Sequence, residues 1–158
     1  MPIHVDAIDR QIVARLIADG RASASEISRS LEGVSQRAVR YRLERLLRYD
    51  VIQVGAVVDP HALGLDVIAD VFIEVAPGEV QQVARQLVEA ESVSYVAASI
   101  GQGDLSIQVC ARDAAELARI VTDVVESIPG VRSTRTVMVP WKLKDVHQWQ
   151  IPAAATDE

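Results

Sequence analysis

The chain is poor in the features that mark secreted and membrane proteins. One of its 158 residues is a cysteine, Cys110, so an internal disulfide is excluded, and its strand-like surroundings predict a small packing residue rather than a reactive thiol. No run is long or apolar enough for a membrane span, and Met1–Gly20 has the pattern of an amphipathic helix rather than of a signal peptide. We therefore expect a cytoplasmic protein with no membrane partner.

The chain also has no net positive charge, because it contains 16 Lys and Arg and 22 Asp and Glu, which gives a net charge of −6. The charges are unevenly placed. Residues 1–60 hold nine Arg against eight acids, net +1, whereas residues 61–158 hold seven Lys and Arg against fourteen acids, net −7. Because DNA is a polyanion, the first part alone could approach it without repulsion. A composition of 49% hydrophobic and 24% charged residues indicates a globular chain of one or two domains.

Two short helices with a turn between them are predicted near the N-terminus. Ser23 and Glu26 have the spacing of a capping box, in which each side chain binds the other residue's amide. Gly33 can take the left-handed conformation that ends a helix, and Ser35 is a good cap for the next one. Two helices joined by a short Gly-containing turn match the helix-turn-helix pattern.

The second of these helices carries an apolar stripe and a basic face. Val39, Leu43, Leu46 and Leu47 form the stripe, and five arginines stand against Glu44 between residues 35 and 48, net +4. A solvated charged face is the simple alternative, but the capped turn favours DNA binding. Arg37 and Arg40 are the predicted base contacts, whereas Arg42 and Arg45 lie on the flanks, where they can reach a phosphate or a carboxylate. The full predicted DNA-binding set is Ser35, Gln36, Arg37, Arg40, Tyr41, Arg42 and Arg45.

The rest of the chain predicts an α+β protein. A first helix runs from about Asp6 to Gly20, a strand is expected over residues 51–58, and Pro60 and Gly64 punctuate a linker. Beyond it, periodicity gives the order β-α-β-β-α-β of a ferredoxin-like domain. The predicted parts are a helix-turn-helix domain at residues 1–58, a linker at 59–66, the ferredoxin-like domain at 67–142 and a tail at 143–158.

A sheet of this kind has helices on one face only. Ile68 and Phe72 alternate out of phase with Val71 and Ile73, so the second face is not uniformly polar. Burial against a second copy of the chain would cover it. We therefore expect a homodimer or a larger homo-oligomer.

Short motifs follow one another in a recognisable order to about Lys142. They are Val5–Ile12, Asp19–Arg21, Val34–Ser35, Arg42–Leu46, Val51–Ile52, Asp59–Pro60, Leu63–Gly64, Gly101–Asp104 and Ile128–Val131, followed by Thr134 and Thr136. This series resembles the leucine-responsive/asparagine-regulator (Lrp/AsnC) family of transcription factors. The resemblance implies a DNA-binding domain joined to an effector-binding domain, dimers commonly built up to tetramers or octamers, and a response to amino acids or related metabolites.

The resemblance also implies an effector site between C-terminal domains, close to the Gly-x-x-Asp loop. An amino acid needs an acceptor for its ammonium group, which Asp104 offers, and amides for its carboxylate, which a glycine loop exposes. The alternative is a plain hairpin turn, and it stays open for Asp104. The residues that the resemblance implies for effector binding are Ser99, Gly101, Gln102, Gly103, Asp104, Thr134 and Thr136.

Two positions depart from the family pattern. Asp50 replaces the glycine usual before the Val51–Ile52 pair, so α-helix termination there should cost some strain. Gly103 replaces an aromatic residue beside the loop aspartate, which would widen the pocket.

Two other functions are alternatives to DNA-binding regulation. An enzyme resembling haem-pathway decarboxylases would need clustered acids or bases, and His61 and His147 fall in the linker and the tail. A pure interaction module with a decayed DNA-binding domain is the second alternative. We predict no catalytic residues, no cofactor and no metal. The predicted partners are double-stranded DNA and a small-molecule effector.

Overall fold

The structure, a computed structural model, describes residues 3–101 and 103–152. Residues 3–57 form one unit together with residues 143–152, and residues 58–101 and 103–142 form the other. The domain bounds given by the sequence patterns stay predictions. Within the described residues, no helix is long and apolar enough to cross a membrane.

The first unit contains three capped helices, α1 (Ala7–Ala18), α2 (Ala24–Arg29) and α3 (Gln36–Arg48). The predicted capping box of α2 is confirmed, because Ser23 accepts from the Glu26 amide and Glu26 accepts from the Ser23 amide. Their core consists of buried aliphatic side chains from each of the three helices and from the turn that follows α2. These core residues are Ile12, Ile27, Leu31 and Val39.

The helix α3 ends in a Schellman motif with Asp50 in the position that glycine usually takes. The Val51 amide donates to the Leu46 carbonyl at 2.9 Å, and the Asp50 amide donates to the Leu47 carbonyl at 3.2 Å. Asp50 has a φ of 53°, and among the described residues it is the one non-glycine with a positive φ. The expected strain at the end of this helix is therefore present. Leu47, which was placed in the apolar stripe, is 43% exposed at its edge.

The strand predicted over residues 51–58 is wrong. All eight residues are described, and none of them is in a strand. Their β-branched side chains favour extended backbone, but a strand also needs a partner for its amides and carbonyls. Among the described residues no strand pairs with this segment, and Val57 and Val58 stay about two-thirds exposed, at 66% and 65%.

The second unit has the predicted β-α-β-β-α-β order. Its elements are β1 (Val67–Val75), α4 (Val80–Val88), β2 (Val93–Ala98), β3 (Leu105–Ala111), α5 (Ala114–Arg119) and β4 (Val131–Met138). A π-helical segment, Ile120–Val125, continues α5. The four strands pair antiparallel in the order β2-β3-β1-β4, so the chain has the α+β architecture predicted from its sequence.

The two faces of the sheet differ as the alternation predicts. Val71 and Ile73 lie fully buried against the helices, together with Leu87 of α4 and Val125 at the end of the π-helical segment. The opposite face carries mixed side chains. On it, Gln108 donates to Asp70 at 2.9 Å, and the Arg135 guanidinium lies 4.4 Å from the centre of the Phe72 ring. Cys110 also lies there, buried as a packing residue, as predicted.

Candidate functional sites

The outer face of α3 is the first candidate site. Arg37, Arg40 and Tyr41 are exposed there, and together with Gln36 and Glu44 they line one open depression. Within the described part of the chain, the guanidinium groups of Arg37 and Arg40 have neither an ion pair nor a hydrogen bond. The face therefore presents two unneutralised forks that can each donate two parallel hydrogen bonds.

The start of α3 is held by local hydrogen bonds. Ser35 caps the helix by accepting from the Ala38 amide at 3.2 Å. Ser28, on α2, donates from its hydroxyl to the Val34 carbonyl at 2.7 Å, which ties α2 to the turn. This second bond was not predicted, because a serine inside a helix gives no sign of its partner. Together the two bonds fix the backbone just before the exposed arginines.

Arg42 and Arg45 both bind carboxylates. A carboxylate and a phosphate were the two kinds of partner that the sequence left open. Arg42 donates from Nη1 to Asp6 Oδ2 at 2.7 Å and to Asp9 Oδ1 at 2.9 Å. Arg45 donates from Nη2 to Asp9 Oδ2 at 2.5 Å. Their predicted contacts with DNA stay predictions. The D-x-x-D spacing of Asp6 and Asp9 indicates a capped helix start, and by itself it does not indicate these ion pairs.

The loop between β2 and β3 is the second candidate site. The Asp104 amide donates to the Ile73 carbonyl at 2.8 Å, and the Ser99 amide donates to the Asp104 carbonyl at 2.9 Å. Gly101 and Gly103 have φ values of 126° and 80°, which other residues rarely adopt. Gln102 lies outside the described residues.

The carboxylate of Asp104 binds a backbone amide of the sheet. Its Oδ2 accepts from the Val75 amide at 2.7 Å, at the point where the pairing of β1 with β4 shifts between Glu74 and Val75. One oxygen of Asp104 therefore has a structural role, which matches the turn interpretation. The other oxygen, Oδ1, has no protein partner among the described residues and can accept from a ligand.

Thr134 and Thr136 lie on β4, which β1 separates from the strand that follows this loop. Ile73 pairs with Leu105 on one side and Thr134 on the other, so Thr134 is two strand spacings, about 10 Å, from the strand that follows the loop. The Thr134 hydroxyl donates to Glu126 Oε1 at 2.6 Å. Thr136 lies one row further along, opposite Val71. The structure thus groups Ser99, the two glycines and Asp104, and sets the two threonines apart.

Comparison with known proteins accounts for the presence of both a basic helix and a glycine loop in this chain. Residues 5–47 match the model of the AsnC-type helix-turn-helix domain, and residues 68–148 match that of the Lrp/AsnC ligand binding domain. The chain belongs to the Lrp/AsnC family. It is accordingly a transcriptional regulator of the Lrp/AsnC type, with a helix-turn-helix domain and a ligand-binding domain.

Relatives in the Lrp/AsnC family match along most of their length. An uncharacterised HTH-type transcriptional regulator of Pyrococcus abyssi is 36% identical over 93% of this chain and 90% of its own. Escherichia coli AsnC has the same fold, with a TM-score of 0.81 at 23% identity over 90% of this chain and 97% of its own. A Neisseria meningitidis transcriptional regulator solved with L-Met also superposes with a TM-score of 0.81, at 22% identity over 89% and 92%.

Proposed function

We propose that α3 is the recognition helix of this regulator and that Arg37 and Arg40 contact base edges in the major groove of DNA. The observation that carries this proposal is their exposure without a protein partner, on the first turns of a capped helix that follows a turn. Helix-turn-helix proteins read bases with these turns, and an arginine fork fits the O6 and N7 atoms of guanine. Ser35, Gln36 and Tyr41 border the same surface and complete the proposed contact set.

Fluorescence anisotropy tests this proposal with two duplexes, one from the region upstream of the protein's own gene and one of the same composition in shuffled order. Arg37→Ala or Arg40→Ala should weaken binding to the first duplex by about 1–3 kcal/mol and leave the shuffled duplex nearly unaffected. Arg85→Ala removes an exposed arginine of α4 and serves as the matched control. Equal losses on both duplexes would show phosphate contact only. A wild type with no salt-sensitive, sequence-preferring complex would contradict the proposal as a whole.

We propose that the effector is an amino acid or a related metabolite, bound beside the loop of Ser99 to Asp104. The free Asp104 Oδ1 could accept from the ammonium group, and the amides of the glycine loop could donate to the carboxylate. The solved L-Met complex of the Neisseria meningitidis protein supports an amino acid as the ligand class. Gln102, Thr134 and Thr136 remain predicted members of the site.

A thermal-shift screen against amino acids and keto acids tests this part, because a ligand that binds only the folded state raises the melting temperature. Asp104→Asn is the informative variant. It removes the charge, yet its amide oxygen can still accept from the Val75 amide. An amino acid that stabilises the wild type should therefore stabilise this variant much less. Unchanged shifts in Asp104→Asn would place the ligand elsewhere.

We propose a homodimer as the basic assembly, with tetramers or octamers built from it. Support comes from the sheet face without helices, where Phe72 is half-buried and Val137 and Tyr95 remain 41% and 57% exposed. Light scattering should give a dimer mass or a multiple of it, and Val137→Glu should lower that mass. The exposed α4 variant Gln82→Glu is the control for added charge. A wild-type monomer would contradict this part.

A dimer would place two copies of α3 about one DNA turn apart, or a multiple of it.

We also propose that the protein acts in the cytoplasm by binding rather than by catalysis. His61 and His147, the histidines that the enzyme alternative would need, lie in different units. Each has a nearby carboxylate, at 3.5 Å for His61 and Asp66 and at 4.0 Å for His147 and Asp145. Turnover of a candidate substrate that is abolished by His61→Ala would overturn this proposal.

A further inference from the structure

A buried carboxylate joins the first helix to the recognition helix. Asp9 on α1 is 0% exposed, and it is the one charged residue that is buried among those the structure describes. Its two oxygens accept from Arg42 and Arg45 of α3, which lie three residues apart and therefore on neighbouring positions of one helix face. Asp9 thus bridges two arginines that no other carboxylate connects within the described chain.

Asp6 completes a closed network around this bridge. Its Oδ1 accepts from the Asp9 amide at 2.9 Å, and Asp9 Oδ2 accepts from the Asp6 amide at 3.1 Å, which fixes both carboxylates at the start of α1. Burial alone would raise the pKa of Asp6, but the Asp9 amide and Arg42 outweigh it and hold that pKa below its usual range. The hydrogen bond to Asp6 in turn raises the pKa of Arg42. Asp6 and Arg42 are therefore both charged at neutral pH.

The apolar packing between α1 and α3 determines which stripe of α3 faces inward, and the ion pairs narrow the rotation of the helix further. Ile12 and Val39 bury their side chains fully, but apolar contact has no preferred direction. Charge-assisted hydrogen bonds to a guanidinium are directional. Only one rotation of α3 about its axis keeps Arg42 and Arg45 on Asp9, and the same rotation keeps Arg37 and Arg40 on the outer face.

We propose that Asp9 positions the recognition helix, and that Arg42 and Arg45 act on DNA binding through Asp9 rather than by touching phosphates. This inference rests on the proposed use of α3 against DNA. Two of the five arginines of α3 are then matched by Asp9 of α1 and by Asp6, which caps that helix. The cations left for DNA on this helix are Arg37, Arg40 and Arg48.

The salt dependence of DNA binding separates positioning from phosphate contact. Each lost phosphate contact lowers the slope of log K against log salt by about 0.9, whereas a mispositioned helix weakens binding without removing one specific contact. The probe is the duplex from the region upstream of the gene, titrated at several NaCl concentrations. Arg42→Gln and Arg45→Gln should each reduce affinity by about tenfold, equivalent to 1.4 kcal/mol, and leave the slope unchanged. Arg48→Gln, which removes an exposed cation of the same helix and leaves the Asp9 network intact, should lower the slope.

Asp9→Asn gives opposite results under the two explanations. If Arg42 and Arg45 were phosphate contacts, removing the competing carboxylate would free them, so affinity would rise and the slope would steepen. Under the positioning role, affinity falls at an unchanged slope, and Arg42→Lys, which can keep a single ion pair, recovers part of the loss relative to Arg42→Gln. Melting curves establish that each variant is folded.

The outcomes distinguish this inference from the function on which it rests. A wild type that does not bind the duplex overturns both. A wild type that binds, with Arg42→Gln or Arg45→Gln lowering the slope, overturns the positioning role alone. Should Asp9→Asn fail to fold, the two glutamine variants decide the question, because both arginines are partly exposed and loss of either leaves Asp9 with the other arginine and the Asp6 amide.

Discussion

The Asp104 carboxylate accepts a 2.7 Å hydrogen bond from the amide of Val75, 29 residues earlier in the chain. The bond crosses from the β2–β3 loop to the end of β1, where the strand pairing shifts register. A residue expected to serve an effector therefore also holds the loop to the sheet.

Replacement of Asp104 should destabilise the protein before any ligand is added. A hydrogen bond to a charged group contributes about 1.5–3 kcal/mol, so Asp104→Ala should lower the free energy of unfolding by about that amount. Asp104→Asn should lose less, since an amide oxygen can accept the same bond. Urea denaturation measures both values. Equal losses in the two variants would mean that the charge, and not the Val75 bond, matters for stability.

Asp50→Gly should stabilise the protein. The left-handed backbone at the end of α3 strains an aspartate and not a glycine, although glycine also loses more entropy on folding. We expect a net gain of about 0.5–1 kcal/mol in the free energy of unfolding. Asp50→Ala, whose side chain cannot bind locally, should destabilise the protein instead. A loss of stability in Asp50→Gly would show that the aspartate side chain has a partner that outweighs the strain.

Ser28→Ala tests the hydrogen bond between α2 and the turn that precedes α3. Ser28→Ala removes the hydroxyl that donates to the Val34 carbonyl. Loss of this hydrogen bond should lower the free energy of unfolding by about 0.5–1.5 kcal/mol. Ser25→Ala, on the same helix and without a side-chain bond to the turn, is the matched control. If the two variants melt at the same temperature, the Ser28 bond does not hold the turn.

Glu116 should make stability sensitive to acid. Hydrogen bonds from the Arg112 side chain and then from its backbone amide lower the pKa of Glu116 from 4.5 to about 2. A carboxyl with a lowered pKa in the folded state stabilises the protein fully above its unfolded pKa, and this contribution is lost as the pH falls from about 4.5 to 2. The difference in melting temperature between wild type and Glu116→Gln should thus be largest near neutral pH. A difference that grows on acidification would contradict this assignment.

Local signals in the sequence predicted the helices and their caps. The partners Ser23 and Glu26 are three residues apart, so the pattern contains the whole interaction. The strand order of the second unit also followed from periodicity, because each strand must bury one face. The strand predicted over residues 51–58 was wrong. Its pattern shows a local propensity for extended backbone, but it cannot show whether a neighbouring strand exists to pair with it.

Interactions between distant residues were not predicted. Asp9 and Arg45 are 36 residues apart, and nothing in either segment distinguishes a flank arginine that meets a phosphate from one that meets a carboxylate. For the same reason the sequence left both roles open for Asp104, whose partner is a backbone amide with no side-chain signature. Composition and spacing define candidates, whereas packing assigns each charge to a partner.

The first unit is assembled from both ends of the chain, and this affects how the protein can be made and dissected. Gln150 and Ile151 share one depression with Arg10, Gln11 and Ala14 of α1. During synthesis, α1 is made long before these two residues, so the unit reaches its final composition only after the whole sheet has been translated. A fragment that stops at residue 142 would keep all four strands, yet the part it alters is the DNA-binding unit at the opposite end of the sequence.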